Sequence, residues 1–104
     1  NKSTMVVESH ITYNQELVEG DEVDLNLIYF DHDNKRLQYK FEMIHKTKKY
    51  LSSTIEILSL YVDLEKRKVA EFEDEKTKIM DEFILKNSSK FNNDNLVFSA
   101  KLKK

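Results

Sequence analysis

Two polar side chains near the start of the chain, Glu8 and His10, could carry out acid–base chemistry together. Glu8, His10 and Thr12 alternate along a segment rich in β-forming residues, which places all three on one face of a strand. A glutamate and a histidine two residues apart can share a hydrogen bond, orient a water or polarise a carbonyl. The same spacing suits a solvated strand face or a polar pair at a subunit interface, so the sequence leaves these alternatives open.

A second candidate is Glu56, a carboxylate within an apolar segment that spans residues 51–63. A buried carboxylate is costly unless it is paired, so its position calls for an explanation. One interpretation is an acid or base in a pocket. The other is that the strand face reaches solvent at this residue, and the two interpretations rank equally.

The remaining residues give little indication of a metal site or of a nucleotide-binding site. His32 is expected in a turn and His45 at a strand end, and neither has carboxylates at ligand spacing. The chain has no cysteine, and its one glycine excludes glycine-rich phosphate loops. We therefore predict no metal site and no cofactor. Lys35 and Arg36 follow a polar turn and could hold a phosphate, although such basic residues are more often only solvated.

The candidate residues are positioned by four strands and one helix. Alternating apolar residues joined by short turns predict an antiparallel meander, and the change to helical spacing near residue 70 predicts a helix. This gives a single α+β domain over residues 1–104, with residues 91–104 as a loosely ordered tail. The predicted strands are Thr4–Leu17, Glu22–Phe30, Lys35–His45 and Leu51–Asp63, and the predicted helix is Phe72–Lys86.

Composition restricts the partners. A formal net charge of -2 provides no field to attract nucleic acid or an acidic membrane, so neither is expected. No apolar run could span a bilayer and no signal peptide opens the chain, which predicts a cytoplasmic protein. A domain of 104 residues buries a modest fraction of its surface, so a homodimer or higher homo-oligomer is expected.

The order of these segments resembles bacterial hotdog-fold acyl-CoA thioesterases of the 4-hydroxybenzoyl-CoA thioesterase type. The stretch Val6–Tyr13, followed by the turn Glu19–Asp21, is similar to the second strand and turn of that family. Asp31–Leu37 and Leu60–Arg67 resemble a narrower branch associated with carnitine breakdown. Tyr61 departs from that branch, where a histidine is commoner.

The resemblance implies a partial hotdog sheet with a C-terminal helix, and hydrolysis of a short acyl-CoA, for which a betaine-like acyl group is one candidate. Glu8, His10 and Glu56 match characteristic positions and would have supporting catalytic roles. The family's main catalytic carboxylate lies on a loop after its first strand and before its central helix. None of these three parts is matched here, so this fragment alone is expected to be inactive.

The resemblance also implies a way to bind the substrate. Tyr13, Tyr61 and Glu56 would line a pocket for a quaternary ammonium group, and Lys35 and Arg36 would hold the phosphates of coenzyme A. A non-catalytic alternative remains open, in which the domain binds acyl-CoA or serves as a dimerisation module.

Overall fold

The fold is an antiparallel sheet with one α-helix, seen in a computed structural model that describes residues 1–104. The four long strands are β1 (Lys2–Tyr13), β2 (Val23–His32), β3 (Arg36–His45) and β4 (Leu51–Asp63). A two-residue strand β5 (Lys68–Val69) pairs with the end of β4. Helix α1 (Asp74–Asn87) is followed by a short 3-10 helix, Ser88–Lys90. The predicted α+β class is confirmed, with a short fifth strand that the sequence did not indicate.

The order of the strands corrects the predicted meander. The sheet runs β1-β4-β3-β2, so only β2, β3 and β4 follow one another in space. β1 pairs antiparallel with β4 along almost its whole length, from Lys2 opposite Asp63 to Tyr13 opposite Ser53. The prediction was wrong because alternation specifies which residues share a face, but not which strand lies beside which.

The connection between β1 and β2 explains how the chain reaches the far edge. The amides of Asn14 and Gln15 both donate to the carbonyl of Ser52 at the start of β4. The Tyr50 hydroxyl donates to the carbonyl of Glu16, at 2.8 Å. Gly20, with a φ of 90°, then allows the turn that brings the chain into β2. The loop therefore crosses one end of the sheet, supported by backbone hydrogen bonds.

Strand alternation divides the sheet into two faces that differ in character. The polar face carries Glu8, His10, Lys40 and Glu56, which the registers of β1, β3 and β4 align. The apolar face carries residues such as Tyr39, Phe41, Ile55 and Ile57. Regular alternation would place Tyr29 on the same face as Leu25 and Leu27, but a bulge between Leu27 and Tyr29 shifts Tyr29 to the polar face, opposite Lys40.

Helix α1 lies on the apolar face near β2. Phe83 meets Phe30 edge to face, with ring centroids 5.5 Å apart. The predicted start at Phe72 was two residues early, since Phe72 stacks on Tyr61 at 4.6 Å and Asp74 begins the helix. No helix in the structure combines the length and the apolar character that a membrane span requires.

His32 also differs from its expected place in an open turn. It is the last residue of β2 and is buried. Its Nε2 donates to the Asp81 carboxylate of α1 at 2.6 Å, and its Nδ1 faces the Asp33 carbonyl at 2.8 Å. His32 therefore connects the helix to the sheet.

The chain after Lys90 passes from the apolar face to the polar face around the β2 edge. The amide of Asn92 donates to the carbonyl of Ile28 at 2.8 Å, which fixes the crossing point. Residues 91–104 form no strand or α-helix, and they lie over the polar side chains of the sheet.

Candidate functional site

The polar face brings together the three residues that the sequence singled out for acid–base chemistry. His10 on β1 lies directly opposite Glu56 on β4, and Glu8 lies opposite the next polar-face residue of β4, Leu58. Lys40 on β3 lies opposite Glu56 from the other side. One histidine, two carboxylates and one ammonium group therefore occupy neighbouring positions on three adjacent strands.

Glu8 and His10 are hydrogen-bonded to each other, as their spacing allowed. The Nε2–H of His10 donates to the Glu8 carboxylate, whose side chain is 16% exposed. This bond, followed by the bond from the backbone N–H of Ser99, lowers the pKa of Glu8 to about 2. Glu8 is therefore ionised at neutral pH and acts as a hydrogen-bond acceptor.

Glu56 is buried, with 3% of the residue exposed, so the interpretation of a solvent-exposed strand face is wrong. One carboxylate oxygen lies 3.4 Å from the ammonium nitrogen of Lys40, which is itself buried. The other oxygen accepts the backbone N–H of Val97 at 2.8 Å. Both oxygens therefore have partners, which meets the requirement for burying a carboxylate.

The C-terminal residues supply further donors to this face. The backbone N–H of Ser99 donates to Glu8 at 2.7 Å, and that of Ala100 lies 3.4 Å from the other Glu8 oxygen. The side-chain amide of Gln38 donates to the carbonyl of Ala100 at 3.0 Å. Two residues proposed for catalysis, Glu8 and Glu56, are thus in contact with the chain's own C-terminal segment.

The basic turn residues are engaged by Asp33. The Arg36 guanidinium lies 2.7 Å from the Asp33 carboxylate, and the amides of Lys35 and Arg36 donate to the same group. Burial opposes ionisation of Asp33, but these bonds and the Lys103 N–H outweigh it and lower its pKa to about 2. Arg36 has a partner within its own turn, and its role toward a phosphate stays a prediction, as does that of Lys35.

Tyr13 and Tyr61 lie on the other side of the sheet from Glu56. Both belong to the apolar-face alternation, because Tyr13 is opposite Ser53 and Tyr61 is opposite Thr4. Tyr13 is 83% exposed, whereas Tyr61 is buried and donates its hydroxyl hydrogen to Glu73. One pocket lined by both tyrosines and Glu56 is therefore not formed within this chain.

The apolar face contains two open grooves. One, of about 410 Å³, lies between the sheet and α1 and is lined only by apolar side chains, among them Phe30, Phe41 and Phe83. The other, of about 520 Å³, lies near the end of β1 and includes Ile11, Tyr13 and Ile55. These volumes are in the range of small-molecule sites.

Sequence reasoning missed several residues of the polar face. Lys40, Gln38 and Asp33 were seen only as members of a polar strand face and a turn, and Val97 and Ser99 as parts of a tail. The alternation of β3 did place Lys40 and Gln38 together. Which carboxylate Lys40 would meet depends on the register of β3 against β4, and the alternation does not contain that register.

Comparison with known proteins assigns the family. The family model described as "Thioesterase-like superfamily" matches residues 2–85, which include all five strands and most of α1. The chain belongs to the thioesterase-like superfamily. No protein with a curated description matches it significantly.

Solved structures of other proteins share the fold of this thioesterase-like chain. SAV2348 from Staphylococcus aureus, solved in complex with CoA, is 21% identical with a TM-score of 0.71 over 99% of this chain. YbaW from Escherichia coli, described as a probable thioesterase, is 19% identical with a TM-score of 0.66 over 77% of the chain. A candidate thioesterase from Pseudomonas putida KT2440 is 22% identical with a TM-score of 0.72 over 98% of the chain.

The thioesterase-like chain matches only part of each of these proteins. The matched regions cover 63%, 62% and 64% of the three solved chains. At these identities the similarity establishes the fold, and the predicted hotdog-like architecture is confirmed. The narrower assignment to the carnitine-associated branch stays a proposal.

Removal of the Lys40 charge should destabilise the folded chain. Lys40→Met leaves Glu56 buried without its ammonium partner, and breaking a buried pair in this way costs about 3 kcal/mol or more. Urea unfolding should show this loss. The control is Lys46→Met, because the Lys46–Glu22 pair is exposed and should change stability by less than about 1 kcal/mol. Equal effects of the two variants would contradict a structural role for the buried pair.

The pKa of Glu8 predicts a contribution to acid stability. Since folding lowers this pKa from 4.5 to about 2, the stabilisation is fully present above pH 4.5 and is lost as pH falls toward 2. NMR titration of the Glu8 side chain should show a midpoint far below that of the urea-unfolded chain. A shared midpoint would show that His10 and Ser99 do not hold the carboxylate in solution.

Proposed function

We propose that this chain is the sheet-bearing part of an acyl-CoA thioesterase. The observation that carries the proposal is the match of residues 2–85 to the thioesterase-like superfamily, supported by a shared fold with a CoA-bound protein. The reaction is hydrolysis of an acyl-CoA thioester by water, which releases the carboxylic acid and the thiol of coenzyme A. The chain provides an apolar surface for the acyl group and a network of charged groups behind it.

The acyl group lies on the apolar face in this proposal. The groove between the sheet and α1 has no polar lining residue, so an alkyl chain loses no hydrogen bond on entering it. Phe30, Phe41 and Phe83 contribute aromatic surface to the lining of this groove. Carboxylates of the polar face cannot reach a ligand there, because the thickness of the sheet separates them.

Glu8, His10 and Glu56 therefore act as positioning residues rather than as groups that touch the thioester. Each carboxylate is already hydrogen-bonded or ion-paired, which leaves it poorly placed to accept a proton from water. Glu8 on β1 and Glu56 on β4 both accept backbone N–H groups of the C-terminal segment, which therefore links the edge strand to its neighbour. The carboxylate that attacks or activates water belongs, by family resemblance, to a loop that this chain does not match.

A short, betaine-like acyl group is a narrower proposal, and it rests on the resemblance to the carnitine-associated branch. One local feature favours a cationic group beside Tyr61. The ammonium nitrogens of Lys2 and Lys76 lie 5.6 and 5.4 Å from the centre of its ring. In this proposal a quaternary ammonium takes the place of one of these two ammonium groups beside the ring.

A second candidate function is a non-catalytic module that binds acyl-CoA or supports dimerisation. The hydrogen bonds that Glu8 and Glu56 already accept favour this second function, since neither carboxylate has a free oxygen facing an open cavity. The apolar grooves would serve binding without chemistry equally well.

Turnover of acyl-CoA esters distinguishes the two candidates. We expect the 104-residue chain alone to release thiol slowly or not at all, and a longer product of the same gene that carries the family's loop to turn over a panel of short acyl-CoAs. In that longer protein, Glu8→Gln and Glu56→Gln should each lower kcat about tenfold with little change in KM, as expected for lost positioning.

The control for this assay is Glu22→Gln, because Glu22 is an exposed carboxylate whose one ion pair is at the surface. His32 is unsuitable as a control, since it is buried against α1. Absence of turnover from every longer product, with acyl-CoA still bound, would favour the binding module. Rapid turnover by residues 1–104 alone would make Glu8 or Glu56 the leading catalytic candidate.

The proposed assembly is a homodimer or higher homo-oligomer. β1 is an edge strand with unpaired backbone groups on its outer side, and it carries the exposed apolar residues Met5, Val7 and Ile11. Light scattering should give at least twice the mass of 12.4 kDa at micromolar concentration. Replacing Val7 by lysine should weaken the association if β1 forms the interface, whereas Leu85→Lys on exposed helix surface should not. A monomer at that concentration would contradict the proposal.

A further inference from the structure

The C-terminal segment Leu96–Lys104, which we call the strap, lies across the polar face without forming a strand. Its side chains alternate in burial, as expected for an extended peptide on a surface. The partly buried residues are Leu96, Phe98, Ala100 and Leu102, whereas Val97, Ser99, Lys101 and Lys103 are exposed. A bend at Ser99 and Ala100 turns the strap back toward β2.

The sheet holds the backbone of the strap through side chains. Three carboxylates accept three separate strap amides: Glu56 from Val97 at 2.8 Å, Glu8 from Ser99 at 2.7 Å, and Asp33 from Lys103 at 3.0 Å. Bonds between a backbone N–H and a carboxylate are charge-assisted and stronger than neutral ones. The contacts come from β1, β4 and the β2–β3 turn, so the polar face binds the strap as a receptor binds a peptide.

Charge adds to this recognition. The strap ends in Lys103 and Lys104, and the Lys104 ammonium group pairs with the Asp31 carboxylate on β2. Beneath this end of the strap lie two carboxylates, that of Asp31 near the end of β2 and that of Asp33 in the turn that follows. A cationic end on the peptide thus meets an acidic end of the binding surface.

A small number of hydrogen bonds and one ion pair attach the strap to the sheet. The strap has no backbone pairing with any strand, and its one connection to the rest of the chain is a polar turn over residues 92–95. Asn95 in this turn has a φ of 60°, and the amide of Asp94 bonds the Asn92 side chain. A segment held by a few hydrogen bonds and partly exposed side chains belongs to the least stable part of a domain.

We propose that the polar face is a peptide-binding site that the strap fills in cis and can leave, and that the strap thereby regulates Glu8, His10 and Glu56. With the strap bound, amide donors fix both carboxylates and the edge strand. With the strap released, Glu8 and Glu56 lose these donors and are exposed to water. The regulatory part rests on the proposed function, because it concerns the residues to which we assign positioning roles; the binding part does not.

Proline substitution tests the binding part in the full chain. Ser99→Pro removes the N–H that Glu8 accepts and leaves the sheet unchanged, whereas Ser99→Ala keeps that N–H and serves as the matched control. Hydrogen exchange at Val97 and Lys103 should accelerate about tenfold or more in Ser99→Pro, since one charge-assisted bond is lost from a cooperative set. Equal exchange in both variants, or unprotected amides in the unmodified chain, would overturn the proposal.

Substitution on the sheet provides an independent test. Glu8→Ala removes the acceptor for Ser99, and Thr12→Ala is its control, because Thr12 lies on the same face of β1 and makes no hydrogen bond to the strap. Trypsin cleavage after Lys101 should be faster in Glu8→Ala than in Thr12→Ala at the same global stability. Equal cleavage rates would show that Glu8 does not hold the strap.

Binding in trans tests whether the face is a true site. A fluorescent peptide with the sequence of residues 96–104 should bind the Ser99→Pro protein, whose own strap is displaced, and bind the unmodified chain about tenfold more weakly because of competition in cis. Adding Glu8→Ala should abolish the binding. No binding to Ser99→Pro would overturn the peptide site, and equal binding to both proteins would overturn its occupation by the strap.

The regulatory part is tested separately in the longer protein by turnover. Strap release by Ser99→Pro should change kcat by about the same factor as Glu8→Ala, since both remove the bond between the Ser99 N–H and the Glu8 carboxylate. Accelerated exchange with an unchanged kcat would refute regulation and leave the peptide site established. Lack of thioesterase activity in every variant would count against the proposed function, and the exchange and peptide results would stand independently of it.

Discussion

The buried pair of Lys40 and Glu56 is the constraint on which the polar half of the structure depends. Two opposite charges removed from water need each other and additional hydrogen bonds, and both needs are met here by different parts of the chain. Lys40 comes from β3, Glu56 from β4, and the amide of Val97 from the strap. Any change in the register of β3 against β4 would separate the charges, so the pair also specifies how the central strands align.

Much of the architecture follows from sequence periodicity. The alternation of Leu37, Tyr39, Phe41 and Met43 correctly indicated an apolar face of β3, and the change of period after residue 70 indicated α1. The position of β1 beside β4 did not follow, because every strand offers a similar alternating edge to its neighbours. The bulge beside Tyr29 escaped prediction for a related reason, since one unpaired residue reverses the alternation without any change in residue type.

The sequence predicted which residues belong to the candidate site, but not which groups surround them. Glu8 and His10 were identified by spacing within one strand, where geometry is fixed by the backbone. The backbone N–H groups that reach Glu8 belong to Ser99 and Ala100, about ninety residues away along the chain, and no local pattern encodes such a contact. The strap has the composition of a solvated tail, and its role depends on amide groups that every residue other than proline carries.

The sheet separates the two halves of the proposed function, and this separation has a physical consequence for the edge strand. Apolar grooves lie on one side, whereas the charged network lies on the other, so the network cannot stabilise charge on a thioester directly. It can act only through the backbone that both faces share. β1 and β4 both provide this connection, because Ile11 and Ile55 line a groove on one side while Glu8 and Glu56 are bonded on the other. Fixing β1 by charge-assisted bonds from behind therefore sets the shape of the apolar surface in front.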